Sequence, residues 1–202
     1  MRIVSLKDIS SKTICDPRPE DLPEIMDYLS KVHPLHDRYT VAQARVIWRQ
    51  TMMYMGAIYR LLEDNISDMK ILDLGCGSTG NSFDATNVDA LRYQPWLSRF
   101  LHKSNAPVTG IDVGDLVYEE FEHYTIDLLQ PNSLDIFPDR SIDLALAMKL
   151  FSSPELGRRI MCKVDLEGSQ EAAQRLKSVL LPQLKRVLVC NGTLVHYDWW
   201  DY

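Results

Sequence analysis

The run Lys70-Ile71-Leu72-Asp73-Leu74-Gly75-Cys76-Gly77-Ser78-Thr79-Gly80 constrains the fold of this chain more than any other stretch. A short apolar segment ends in an aspartate and then meets glycines, which let the backbone turn sharply and approach a ligand closely. A single run of this kind also suits a purely structural turn, so its weight depends on the residues downstream of it.

Downstream, the strand recurs without the turn. Met69–Leu74, Val108–Val113, Tyr124–Leu128, Ile142–Met148 and Thr193–Tyr197 read as five short apolar strands separated by helical segments. That alternation predicts an α/β fold with a mainly parallel sheet covered on both faces. One intervening helix starts at Pro95, a favoured first position, and buries Leu97, Phe100 and Leu101. Another begins after Ser169 and runs to about Val187, with Ala172, Leu176, Val179, Leu180 and Leu184 inward.

The segment before the first strand reads differently. A Pro-rich turn from Asp16 leads into a short helix over Leu22–Val32, and His33-Pro34-Leu35-His36 breaks it. Thr40 then caps a long helix reaching Leu62, with Ala44, Ile47, Trp48, Thr51, Met55, Ile58 and Leu62 along one face. The Met52, Met53 and Met55 group fills core gaps. At 202 residues the chain is most simply one domain. It divides into an N-terminal helical cap over 1–68 and an α/β core over 69–202.

Composition excludes several classes. A formal charge of −6 disfavours nonspecific binding to nucleic acid, and no Lys/Arg cluster offsets it. No apolar run approaches the ~20 residues of a membrane span, and the N-terminus lacks a signal-peptide core. Cys15, Cys76, Cys162 and Cys190 are scattered without a CxxC pair, as in a reduced, cytoplasmic protein. His33 and His36 sit on a Pro-containing turn without further ligands, so no metal is expected.

With its neighbours in place, the Asp73–Gly80 run resembles motif I of the class I S-adenosylmethionine-dependent methyltransferases, an acidic residue followed by Gly-x-Gly-x-Gly. Val108-Thr109-Gly110-Ile111-Asp112-Val113 resembles the second strand with its terminal carboxylate, and Tyr124-Thr125-Ile126-Asp127-Leu128 the third. Ala147–Phe151 occupies the segment that flanks the methyl group and acceptor, and Leu184–Val195 resembles the last helix, glycine turn and fifth strand. The resemblance covers about 69–198 in order and implies a three-layer Rossmann-like fold with S-adenosylmethionine as cofactor. The binding residues it implies are Asp73, Gly75, Cys76, Gly77, Asp112, Val113, Asp127 and Leu128. Asp73 would serve the amino group, Asp112 the ribose hydroxyls and Asp127 the adenine. An aspartate like Asp112 also serves NAD, but it lies much farther from the glycines than the ~20 residues of a dinucleotide fingerprint. Lys149 and Tyr54 are the residues to watch near the acceptor. No residue is assigned a catalytic role, because an activated sulfonium needs little beyond alignment and exclusion of water.

Departures from the family pattern carry their own expectations. Thr79 stands where the third glycine would be, and the polar segment 78–94 either folds over the site or is a disordered insert. Gly114–His123 is too short for a full crossover helix. The sheet reads as truncated after its fifth strand, without the family's closing hairpin. That exposed edge would be covered by a second copy in a homodimer, by Arg2–Leu6, or by the aromatic tail His196–Tyr202. The long N-terminal helix should pack over the carboxyl ends of the strands. Two functions remain open: a methyltransferase acting on a small-molecule or protein acceptor, or a noncatalytic relative working through cofactor sensing or protein association.

Overall fold

The computed structural model describes residues 1–6, 19–32, 39–62, 66–78, 94–153 and 166–197. Its strands are β1 (Arg2–Ser5), β2 (Ile71–Leu74), β3 (Val108–Asp112), β4 (Glu122–Thr125), β5 (Ile142–Met148) and β6 (Leu188–Tyr197). Its helices are α1 (Leu22–Val32), α2 (Val41–Leu62), α3 (Trp96–Lys103) and α4 (Leu166–Val187). The strands form one six-stranded sheet in the order β1-β6-β5-β2-β3-β4, and every pairing is parallel. This is a Rossmann-like α/β arrangement. The order reverses between β2 and β5, where such sheets open a crevice beyond their carboxyl ends.

Period-two alternation along the strands feeds two separate cores. Ile71, Val108, Leu144, Leu146 and Val195 face a cluster that includes Leu29 of α1, Ile58 of α2 and Leu101 of α3. Leu72, Leu74, Ile111, Ala145 and Leu194 face the opposite way, toward Leu176, Leu180 and Leu184 of α4. The apolar stripe expected on α2 is buried at Ala44, Ile47, Thr51, Met55 and Ile58. The helix starts as its cap predicts. Thr40 Oγ1 accepts the Gln43 N–H at 3.3 Å, and Gln43 Oε1 accepts the Thr40 N–H at 2.8 Å, a reciprocal capping box.

Three sequence expectations move. The third core strand lies at Glu122–Thr125 rather than Tyr124–Leu128. β4 is an exposed edge strand that shares only Tyr124 and Thr125 with the expected stretch. The Ile126 N–H donates to Asp112 O at 2.8 Å, and Leu128 enters the second core. The last strand is longer than expected, running from Leu188 directly out of α4. The expected glycine turn is instead an irregularity in the pairing, with Ile142 opposite Leu188 but Leu144 opposite Thr193.

The third difference concerns the far edge. Arg2–Ser5 pairs with β6, Arg2 opposite Thr193 through Ser5 opposite His196. Of the three covers open to that edge, the chain's own N-terminal strand takes it, which removes the open edge of β6 as a reason for a homodimer. The sheet therefore draws on both the 1–68 and 69–202 segments. Residues 113–121 join β3 to β4 without a crossover helix, as the short spacing implied. His33, His36, the stretch 79–93 and the tail from Asp198 lie outside the described residues.

Candidate cofactor site

β2 delivers Asp73 to the carboxyl end of the sheet, and the chain then turns through Gly75 and Gly77 at φ values of 64° and 99°. Only glycine occupies such conformations without strain. The turn is fastened to the neighbouring strand. The Gly75 N–H donates to Ile111 O at 2.7 Å, and the Gly77 N–H donates to Asp112 Oδ2 at 3.0 Å. Asp112 Oδ1 accepts the Gly114 N–H at 2.8 Å, so this carboxylate is held from both sides. Gly110 permits a close approach on β3, since a Cβ there would lie 2.6 Å from the Phe121 ring and 3.0 Å from Cys76 Sγ.

Asp73 is 2% exposed and accepts the Ser98 hydroxyl at 2.7 Å. Burial pushes its carboxyl up to about 7, the Ser98 hydrogen bond opposes the rise, and the Asp112 charge adds to it. Asp127 closes a local turn by accepting the Leu129 N–H at 3.1 Å. Burial, then the charges of Asp73, Asp112 and Glu119, hold the Cys76 thiol well above its ordinary range. A protonated thiol is a poor nucleophile, so Cys76 packs rather than reacts.

All eight residues implied by the sequence (Asp73, Gly75, Cys76, Gly77, Asp112, Val113, Asp127 and Leu128) line one cavity of about 230 Å³. Tyr54 and Lys149 line it too, along with Gln50 and Thr51 of α2. Trp48 does not; its ring meets Phe100 edge-on, 6.2 Å between centroids, inside the core. The middle of α2 thus forms one wall of the cavity, as expected of the long N-terminal helix. Among the described residues no group of His, Cys, Asp and Glu is arranged to hold a metal ion, and no helix is long and apolar enough to cross a membrane.

Sequence reasoning missed the α3 contribution. Gln94 and Trp96 also line the cavity, and Arg99 stands behind them. The Arg99 guanidinium donates to both Glu119 oxygens, at 2.8 and 2.6 Å, and to Gln94 Oε1 at 3.0 Å. It lies 4.6 Å from the centroid of the Trp96 ring. Only the pairing of a buried helical arginine with a glutamate twenty residues away would have revealed it, and no local pattern encodes that.

Asp73 gives the protein a testable pH dependence. Its folded-state value of about 7 lies above the ordinary 3.8, so between them the native chain holds a proton that the unfolded chain has lost. Stability contributed by this group therefore falls as pH rises through that window, and the whole penalty is present above about 7. Urea unfolding of wild type and Asp73→Asn should show the wild type losing ground to the variant from about pH 5 to 7.5. A stability difference that stays constant over that range would contradict the burial of an ionisable Asp73.

No protein-family model matches this chain, and no curated protein matches it. Solved structures similar to it include the CurJ carbon methyltransferase, at 15% identity and TM-score 0.41, over 90% of this chain and 42% of that one. The magnesium protoporphyrin IX methyltransferase ChlM from Synechocystis PCC 6803, solved with bound SAM, matches at 17% identity and TM-score 0.38, over 82% of this chain and 74% of that one. The trans-methyltransferase CalH, in complex with SAH, matches at 16% identity and TM-score 0.37, over 88% of this chain and 45% of that one. The chain thus spans less than half the length of CurJ and CalH.

Proposed function

We propose that this chain is an S-adenosylmethionine-dependent methyltransferase that transfers a methyl group to a small-molecule or protein acceptor. One observation carries the reading: aspartates at or just beyond the ends of three adjacent strands, Asp73, Asp112 and Asp127, line the same cavity as the Gly75–Gly77 turn. A cationic nucleoside suits that donor set. Asp73 faces its amino group, Asp112 accepts hydrogen bonds from a ribose diol, and Asp127 stands near the base. The apolar lining residues Val113, Ile126, Leu128 and Leu150 suit the flat faces of the adenosyl group.

S-Adenosylmethionine supplies an electrophilic methyl group on a positively charged sulfur. The chain's own task is then to position the acceptor and keep water out. β5 ends at the place for that work, with Met148, Lys149 and Leu150 on the cavity wall.

A specific feature supports a second reading, a noncatalytic cofactor sensor. Both Asp112 oxygens already accept backbone N–H groups of the loops around them, so ligand binding there would couple directly to loop position. Calorimetric titration with S-adenosylhomocysteine tests the shared cofactor assignment. Binding with a dissociation constant on the order of micromolar is expected. Undetectable binding at millimolar ligand would remove both readings, whereas binding without turnover on any acceptor leaves the sensor.

A further inference from the structure

We infer that the Thr51 hydroxyl on α2 donates to the carboxylate of the cofactor's amino-acid end, next to the amino group taken by Asp73. This rests on the cofactor assignment proposed above. The Thr51 side chain is 1% exposed and lines the cavity. It interrupts the apolar stripe of α2 between Ile47 and Met55, where a valine of the same shape would bury no polar atom.

The fold does not use this hydroxyl. Within helices such groups commonly bond back to the carbonyl one turn earlier. Ser30 Oγ does so to Met26 O, and Ser104 Oγ at the end of α3 to Phe100 O, both at 2.9 Å. Thr51 makes neither that bond nor any other side-chain hydrogen bond among the described residues. A buried hydroxyl without a partner destabilises a protein, and this one stands on the wall of a cavity that a polar ligand group can enter.

Its place in the fold selects the part of the ligand it meets. Strand period sends Leu72 and Leu74 into the second core, so the Asp73 side chain leaves β2 on the opposite face, the one covered by α2 and α3. Ser98 of α3 holds Asp73 Oδ2 at 2.7 Å, and Thr51 faces the same cavity from α2. An α-amino acid carries its ammonium and carboxylate on one carbon, so the donor for the carboxylate must stand near the group that takes the ammonium. Asp73 accepts and Thr51 donates, which gives that carbon's two polar groups their two opposite partners. Asp112 and Asp127 come from β3 and the chain beyond β4, farther along the sheet, and are left to the nucleoside. A site built this way reads the intact amino-acid end and disfavours a cofactor that has lost its carboxylate.

The test titrates the full chain calorimetrically with S-adenosylhomocysteine and with S-adenosyl-3-thiopropylamine, the same molecule without its carboxylate. The wild-type chain should bind the amino acid at least about fivefold more tightly than the amine. Thr51→Val should lose that preference by weakening S-adenosylhomocysteine alone, and Thr51→Ser should keep most of it. Urea unfolding of the ligand-free proteins supplies a second readout. With the unpaired hydroxyl gone, Thr51→Val should unfold at a higher urea concentration than wild type. A lower midpoint overturns the proposal by giving the hydroxyl a structural partner. Equal binding of the two ligands to the wild-type chain, or an equal loss of both in Thr51→Val, also overturns it and leaves the cofactor assignment standing. If S-adenosylhomocysteine fails to bind the wild-type chain, the cofactor assignment falls first, and this proposal with it.

Discussion

An Asp112→Ala variant is expected to bind S-adenosylhomocysteine ten- to more than a hundredfold more weakly than the wild-type chain. A hydrogen bond to a charged group is worth about 1.5–3 kcal/mol, and each 1.4 kcal/mol is about a factor of ten in affinity. Two effects act together in this variant. The ribose diol loses its acceptor, and the N–H groups of Gly77 and Gly114, at 3.0 and 2.8 Å in the native chain, lose theirs. Asp112→Asn separates the two. An amide keeps one acceptor oxygen for a loop N–H but loses the charge, so its affinity should fall between wild type and Asp112→Ala. Calorimetry on all three proteins, each checked for an unchanged fold by circular dichroism, reads the result. A change of less than twofold in Asp112→Ala would take Asp112 out of the site.

The sequence marked Asp112 because strand ends are where period, polarity and glycine coincide. The same logic located β5 at Ile142–Met148 and α1 at Leu22–Val32 with the observed bounds. Both are elements whose limits are set locally: β5 by burial on both faces, α1 by the short 3₁₀ turn Pro19–Asp21 that leads into it. Elements decided by distant partners were less legible. Ile126–Leu128 looked like a strand because it is apolar, but the chain leaves the sheet there: Leu128 is buried in the second core and Ile126 packs against it. Arg2–Leu6 was one of three covers open to the edge of the last strand, and no local feature chose among them. The pairing of Arg2–Ser5 with Thr193–His196 is a contact across almost the whole chain, and it decided which of them closed the edge.

The site divides in the same way. The eight residues that the resemblance implied, drawn from the glycine turn and the strand ends, all line the cavity. The support behind it, Ser98 on Asp73 and Arg99 on Glu119, left no trace in the pattern. The reason is visible in α3. Its apolar spacing predicts burial of Leu97, Phe100 and Leu101, yet Trp96, Ser98 and Arg99 are buried as well. A helix enclosed nearly all round must satisfy its polar side chains internally, and those partners come from β2 and from residues 113–121.

That enclosure makes the Arg99–Glu119 pair the place where one substitution should do the most damage. The two side chains are 2% and 1% exposed, and the guanidinium grips both carboxylate oxygens. Removing one member leaves the other charge buried without its counter-ion, which typically costs about 3–5 kcal/mol. Glu119→Leu or Arg99→Met alone should therefore remove a large share of the stability of a domain this size, measured by urea unfolding. Replacing both with apolar residues of similar volume removes the stranded charge. The double variant Arg99→Met, Glu119→Leu should regain most of what either single change loses. Losses that simply add in the double variant would show that the two residues do not act as a buried pair. Function should part from stability in that double variant. Arg99 also binds Gln94 Oε1 and lies over the Trp96 ring, and both of those residues line the cavity. A refolded double variant should still bind S-adenosylhomocysteine more weakly than wild type, because the wall formed by Gln94 and Trp96 loses the guanidinium that fixes it. Full affinity in a stable double variant would confine Arg99 to holding the fold.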